Sequence, residues 1–154
     1  MITNRQVEKE LKHIFGIAAY QSPAGTTYYV GVSSTLPNAL SCSNITEPST
    51  SGTGYARQAV VANAENFELK TVSDGMSYVC NKAAITFPAA VEDWGSSSTP
   101  IKYVFISASS DRSTGTDTGL MYFAELSRSR VIQAGMTLSF EAGALQFRRA
   151  NAGD

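Results

Sequence analysis

After Tyr20 the chain stops repeating its apolar residues at helical intervals and breaks into short segments of period two, or short β-branched and aromatic runs. In order these are "TTYYVGV" from Thr26, "RQAVVA" from Arg57, "NFELKTV" from Asn66, "MSYVC" from Met76 and "AAITF" from Ala83. "IKYVFISA" from Ile101, "GLMYFAEL" from Gly119, "TLSFE" from Thr137 and "ALQFR" from Ala144 follow. Runs of this length, bounded by Ser, Thr, Gly and Pro, read as strands. Eight or nine of them with one helix restrict the fold class to mainly β, a single-domain β-sandwich or jelly roll. Asp74-Gly75 predicts a hairpin between the third and fourth runs, because a type I′ turn needs positive φ at both central residues. Ala142-Gly143 similarly separates the last two. In that pair Leu138, Phe140, Leu145 and Phe147 should face the core and Thr137, Ser139, Glu141, Gln146 and Arg148 the solvent. "YVFI" and "LMYF" lack polar alternation, so both faces should be covered, one by a second sheet and the other by the helix or a partner subunit.

The amino-terminal segment is different. In "TNRQVEKELKHIFG", Thr3 and Gln6 have capping-box spacing, and Val7, Leu11, Ile14, Phe15 and Ala18 recur at helical intervals. Glu8, Glu10, Lys12 and His13 occupy the opposite side, and Gly16 ends or bends the helix. A short helix with one apolar stripe is marginal alone in water and must pack on its own domain or on a neighbour. The expected organisation is a helix over 1–19, a β-sandwich over 20–149 and a tail over 150–154. Two long polar loops, from Ser33 and from Ser107, have little to anchor them in a core and should be mobile or make contacts.

Several function classes are disfavoured. Twelve Lys and Arg oppose thirteen Asp and Glu, leaving no positive excess for nucleic-acid binding. No apolar run approaches the roughly 18 residues of a membrane span, and no signal-peptide core is seen, so synthesis in the cytoplasm is expected. Cys42 and Cys80 fit no metal spacing and are too few for a disulfide framework, which favours free thiols over a bridge. The single histidine, His13, lies on the polar side of the helix, and without a G-x-S-x-G elbow a serine hydrolase is not expected. No cofactor is called for.

The remaining candidates are structural readings. "GTGYAR", from Gly52 to Arg57, begins like a phosphate loop but leads into a strand, so its glycines read as a tight turn and Arg57 as a structural pair or a partner contact. Glu92 and Asp93 are adjacent, point to opposite faces if extended, and read as a polar turn before Trp94. Pro88 should end the strand holding Ile85 and Phe87, and Trp94 should cover the edge of the core. Asp111 and Asp117 offer oxygen ligands for calcium without an EF-hand pattern, and solvent-facing loop residues are the better reading. Tyr28, Tyr29, Tyr55, Tyr103, Tyr122 and Trp94 suit either a core or sugar stacking.

Read in order, "LKHIFG", "YYVGVSSTLPN", "EPSTSGTGYARQAV", "AAITFPAAVEDWG", "YVFISA", "GLMYFAEL" and "SRVIQAGMTLSFEAGALQF" resemble a family of small bacteriophage virion proteins usually labelled tail-fibre proteins. The resemblance runs from about Val7 to Phe147. It implies a structural part of a phage virion made in the host bacterium, with other phage structural proteins as partners and no catalytic residues. The alternatives are a capsid decoration protein on the head exterior and, from another class, a carbohydrate-binding module contacting a host-surface glycan. Assembly by burial would use Val7, Leu11, Ile14 and Phe15, with Arg128 and Arg130 as rim contacts, in a homo-oligomer for which a trimer is one option.

Overall fold

The computed structural model describes residues 1–19, 25–71, 77–110, 117 and 119–148. One helix, α1 (Asn4–Ile14), precedes nine strands. These are β1 (Thr27–Ser33), β2 (Gln58–Val61), β3 (Phe67–Thr71), β4 (Ser77–Asn81), β5 (Ile85–Thr86), β6 (Ile101–Ser107), β7 (Leu120–Arg130), β8 (Ser139–Phe140) and β9 (Gln146–Arg148). Every expected run contains a strand. They form three antiparallel sheets: four strands in the order β2-β1-β6-β7, three in the order β3-β4-β9, and the pair β5-β8.

The main core lies on one face of the four-stranded sheet. Val30 and Val32 of β1, Val104 and Ile106 of β6 and Met121 of β7 meet Ile85 and Phe140 of the smaller sheets and Phe87 and Leu145 beside them. Trp94 is wholly enclosed there, packed edge-on to Tyr55 and Phe87, with its indole N–H donating to Thr53 O at 2.9 Å. It therefore sits inside the core and not at its edge. Pro88 follows β5, after which the chain continues antiparallel to residues 132–140 through Ala90 N–Met136 O and the Trp94–Ile132 bridge.

Three expectations about connectivity fail. Ala142-Gly143 does not join a hairpin, since β8 pairs with β5 and β9 with β4. Asn81 is the cause: its side chain donates to Ala83 O and Glu141 O and accepts from Leu145 N, and its carbonyl accepts from Gly143 N. These bonds turn the chain onto β4 before it can fold back. The second correction concerns the outer face of β6 and β7. Phe105, Leu120 and Phe123 are covered neither by the helix nor by a partner but by the first long loop, through Cys42 and Ile45. That loop is thus anchored in a core. Cys42 N donates to Asn38 O and Asn38 N to Ser43 O, Thr35 Oγ1 donates to Asn44 O, and Ser33 Oγ receives Thr46 N. The third concerns the capping box, of which only half forms. Thr3 Oγ1 receives Gln6 N, but the Gln6 side chain turns to Glu10 instead of returning to the cap. Asp74-Gly75 lies outside the described residues, although β3 and β4 do pair. Cys42 and Cys80 are buried free thiols. No helix among the described residues is long and apolar enough to cross a membrane.

Candidate functional site

The helix is fastened at its amino-terminal end. Residues 1–3 lie along β7: Thr3 N donates to Met121 O, Phe123 N to Met1 O, and Thr3 Oγ1 to Leu120 O. Asn4 N reaches Ala39 O in the first loop. Within the helix the side facing the domain is polar. Gln6 is buried, its amide donates to Glu10 Oε1 at 3.2 Å, and Tyr122 Oη donates to the same oxygen at 3.4 Å.

Each residue advances roughly 100° around a helix, so the stripe of Val7, Leu11 and Ile14 lies roughly a quarter turn from the side carrying Gln6 and Glu10. Val7 is half-buried, but Leu11 is 45% exposed, Ile14 65%, Phe15 73% and Ile17 73%. The helix ends where Gly16 takes φ +67°, which only glycine adopts at little cost. The four predicted helix residues therefore share one continuous stripe, and its carboxyl-terminal half is wet. Arg128 and Arg130 are exposed near the far end of β7. They lie roughly 20 Å along the strand from Tyr122, where the helix is seated, and form a separate patch.

The charged cluster of the interior is structural. Arg57 Nε and Nη2 grip both oxygens of Glu47 at 2.9 and 2.7 Å, and Nη1 reaches Asp117 Oδ2 at 2.7 Å and Ser109 O at 2.8 Å. Tyr55 Oη donates to Glu47 Oε1 at 2.6 Å and accepts Val32 N, while the guanidinium lies 4.8 Å above the Phe105 ring. Burial, reinforced by the Glu47 charge, pushes the Tyr55 phenol well above its usual range. Burial alone would lower the Arg57 pKa, but its hydrogen bonds and charge contacts with Glu47 and Asp117 outweigh that and raise it. Asp117, expected to face solvent, is buried, with its second oxygen taken by Gly119 N. Its carboxylate is thereby committed and unsuited to calcium. Asp111 lies outside the described residues.

Arg57 of "GTGYAR" ties together both long loops through partners that carry no local sequence signal. Among the described residues no group of three His, Cys, Asp or Glu could hold a metal ion. Tyr55 and Trp94 are buried and unavailable for sugar stacking, and Tyr28 and Tyr122 pack against the core. Glu92 and Asp93 are exposed, and Asp93 Oδ1 accepts Ala134 N.

The apolar stripe of the helix is thus exposed at its carboxyl-terminal end, on a scaffold whose buried ion pairs are already satisfied. Comparison with curated proteins gives no significant match. A family model described as podophage GP4 fiber I protein gp80 matches residues 1–148. On that match, which spans nearly the whole chain, the protein belongs to this family of phage fibre structural proteins.

Proposed function

We propose that this chain is a tail-fibre or tail-associated subunit that enters the particle by docking its amino-terminal helix onto neighbouring subunits, its own copies or other virion proteins. The single observation behind this reading is the apolar stripe left open by a helix that uses a polar side to sit on its own domain. Burying the exposed parts of Leu11, Ile14, Phe15 and Ile17 offers on the order of 4–8 kcal/mol before the ordering costs of association. Repeated on each subunit, such contacts add to the other interfaces of a particle and favour assembly. Residues 1–19 act as the docking arm and the sandwich as the body, and the chain works by binding without catalysing a reaction.

Leu11→Asp tests it. The side chain is 45% exposed, so the domain should keep its stability within about 0.5 kcal/mol. Light scattering should show the wild-type chain as an oligomer and the variant as a monomer, and the variant should be missing from purified particles. Normal incorporation would overturn the role of the helix. Antibody labelling of intact particles is the second readout, and signal over the head instead of the tail would favour capsid decoration.

A further inference from the structure

β7 is an edge strand whose outer side is only half used. Its inner side pairs with β6, and outside it Met1–Thr3 add a short antiparallel run, with Ile2 opposite Tyr122. Past Phe123, Ala124–Arg130 bond to no backbone other than β6 among the described residues. Met121 O and Phe123 N point outward to this run, and strand alternation carries that orientation to Glu125, beyond which the register with β6 jumps from Tyr103–Glu125 to Ile101–Arg130. The register with β6 slips between Ile101 and Tyr103, bulging β7 away from its one neighbour.

Beside this free edge runs a groove of about 450 Å³ between β7 and the β8 and β9 strands. Leu126, Phe140 and Phe147 are among its apolar lining, and Arg128, Arg130 and Arg148 stand along it. Among its described lining residues, Glu125 is the only carboxylate facing three guanidinium groups. Arg148 is placed by stacking on Tyr78 at 4.8 Å and by a bond to Gln146, whereas Arg128 and Arg130 have no ion-pair partner among the described residues.

An open edge normally invites any strand, and charges placed on it select among them. Two copies of β7 meeting antiparallel about Ser129 would set Arg128 against Arg130, and the groove's unmet charge is positive, which favours an acidic partner over a second copy. We infer that the outer edge of β7 from Glu125 to Arg130, with the groove beside it, receives an extended acidic segment of another virion protein as an added strand. Apolar side chains of that segment would settle on Leu126, Phe140 and Phe147, and alternate carboxylates would meet the arginines. This rests on the reading of the chain as a docking subunit, but uses a surface separate from the helix.

The test uses the full chain in solution and a fluorescein-labelled octapeptide of alternating glutamate and valine, followed by anisotropy. Saturable binding is expected, with protection of the Glu125 amide from hydrogen exchange. Arg128→Glu with Arg130→Glu, both on exposed residues, should weaken binding roughly tenfold or more. A lysine-valine peptide, or the acidic peptide N-methylated at alternate amides, should not bind. No saturable binding up to about 1 mM, or equal binding of either control peptide, overturns the inference. Binding of polyglutamate or an anionic polysaccharide with the same arginine dependence but no amide protection also overturns it, in favour of a plain anion site. Leu11→Asp should leave peptide binding unchanged, so failure here does not touch the helix reading, and failure of that reading does not produce this result.

Discussion

Arg57→Ala removes a cation and leaves its carboxylates behind. The pairs with Glu47 and Asp117 are nearly dry, with side-chain exposures of 3% and 6% in one and 3% and 1% in the other. Arg57 donates twice to Glu47, once to Asp117 and once to Ser109 O, and stacks on Phe105. Breaking a buried pair from one side costs about 3–5 kcal/mol, chiefly because a charge is left uncompensated, and the lost cation–π contact adds about 1. The expected loss is about 4–6 kcal/mol, against a total stability of about 5–15 for a domain. At about 2–4 °C per kcal/mol the thermal midpoint should fall by roughly 10–20 °C. Trp94, the chain's single tryptophan, is enclosed in the core, so its fluorescence in a urea titration reads the transition directly. A combined Arg57→Met, Glu47→Gln and Asp117→Asn chain removes the buried charge altogether and should regain most of the loss. If Arg57→Ala stays within about 1 kcal/mol of wild type at an unchanged urea slope, or the triple variant is worse than the single one, the reasoning is wrong.

Two further outcomes follow from the same core. At Gly31 an added Cβ would lie 2.3 Å from the Phe105 ring, which covers this glycine from the neighbouring strand, so Gly31→Ala should cost about 1–3 kcal/mol by calorimetry. The raised Tyr55 pKa means that the folded chain holds its phenol proton more tightly than the unfolded chain. That part of the stability is complete below the ordinary tyrosine range near 10 and is lost as pH rises through the higher folded value. Urea midpoints between about pH 9 and 11 should therefore fall, and fall less steeply in Tyr55→Phe. Equal slopes would remove Tyr55 as the cause.

Strand positions were legible because β-branched and aromatic residues cluster in them, but pairing was not, since it depends on residues far apart. Ala142-Gly143 has the local chemistry of a turn, yet Asn81 captures that turn from 60 and 64 residues away through Glu141 O and Leu145 N. The first long loop looked unanchored because Cys42 and Ile45 are isolated apolar residues with no period to betray them. Glu47 and Asp117 lie 10 and 60 residues from Arg57, so the phrase containing the arginine could be noticed but not its partners. The helix shows a different limit. Amphipathic spacing located the stripe of Val7, Leu11, Ile14 and Phe15, but spacing does not say which side faces home.

That orientation carries the main functional argument. An 11-residue helix is below the length at which helices persist unaided, so something must hold it. Here the holding is done by hydrogen bonds at its start, where Thr3 reaches Leu120 O and Met121 O, and by Gln6, Glu10 and Tyr122 along its first turns. Such bonds contribute about 1 kcal/mol each and fix direction without consuming apolar surface. Had the stripe been the anchor, the helix would be equally well held but would have nothing left to offer a neighbour. Because the anchor is polar and at one end, Leu11, Ile14 and Phe15 remain exposed on the last turns. Under the proposed docking, covering that surface and adding a subunit would be one event.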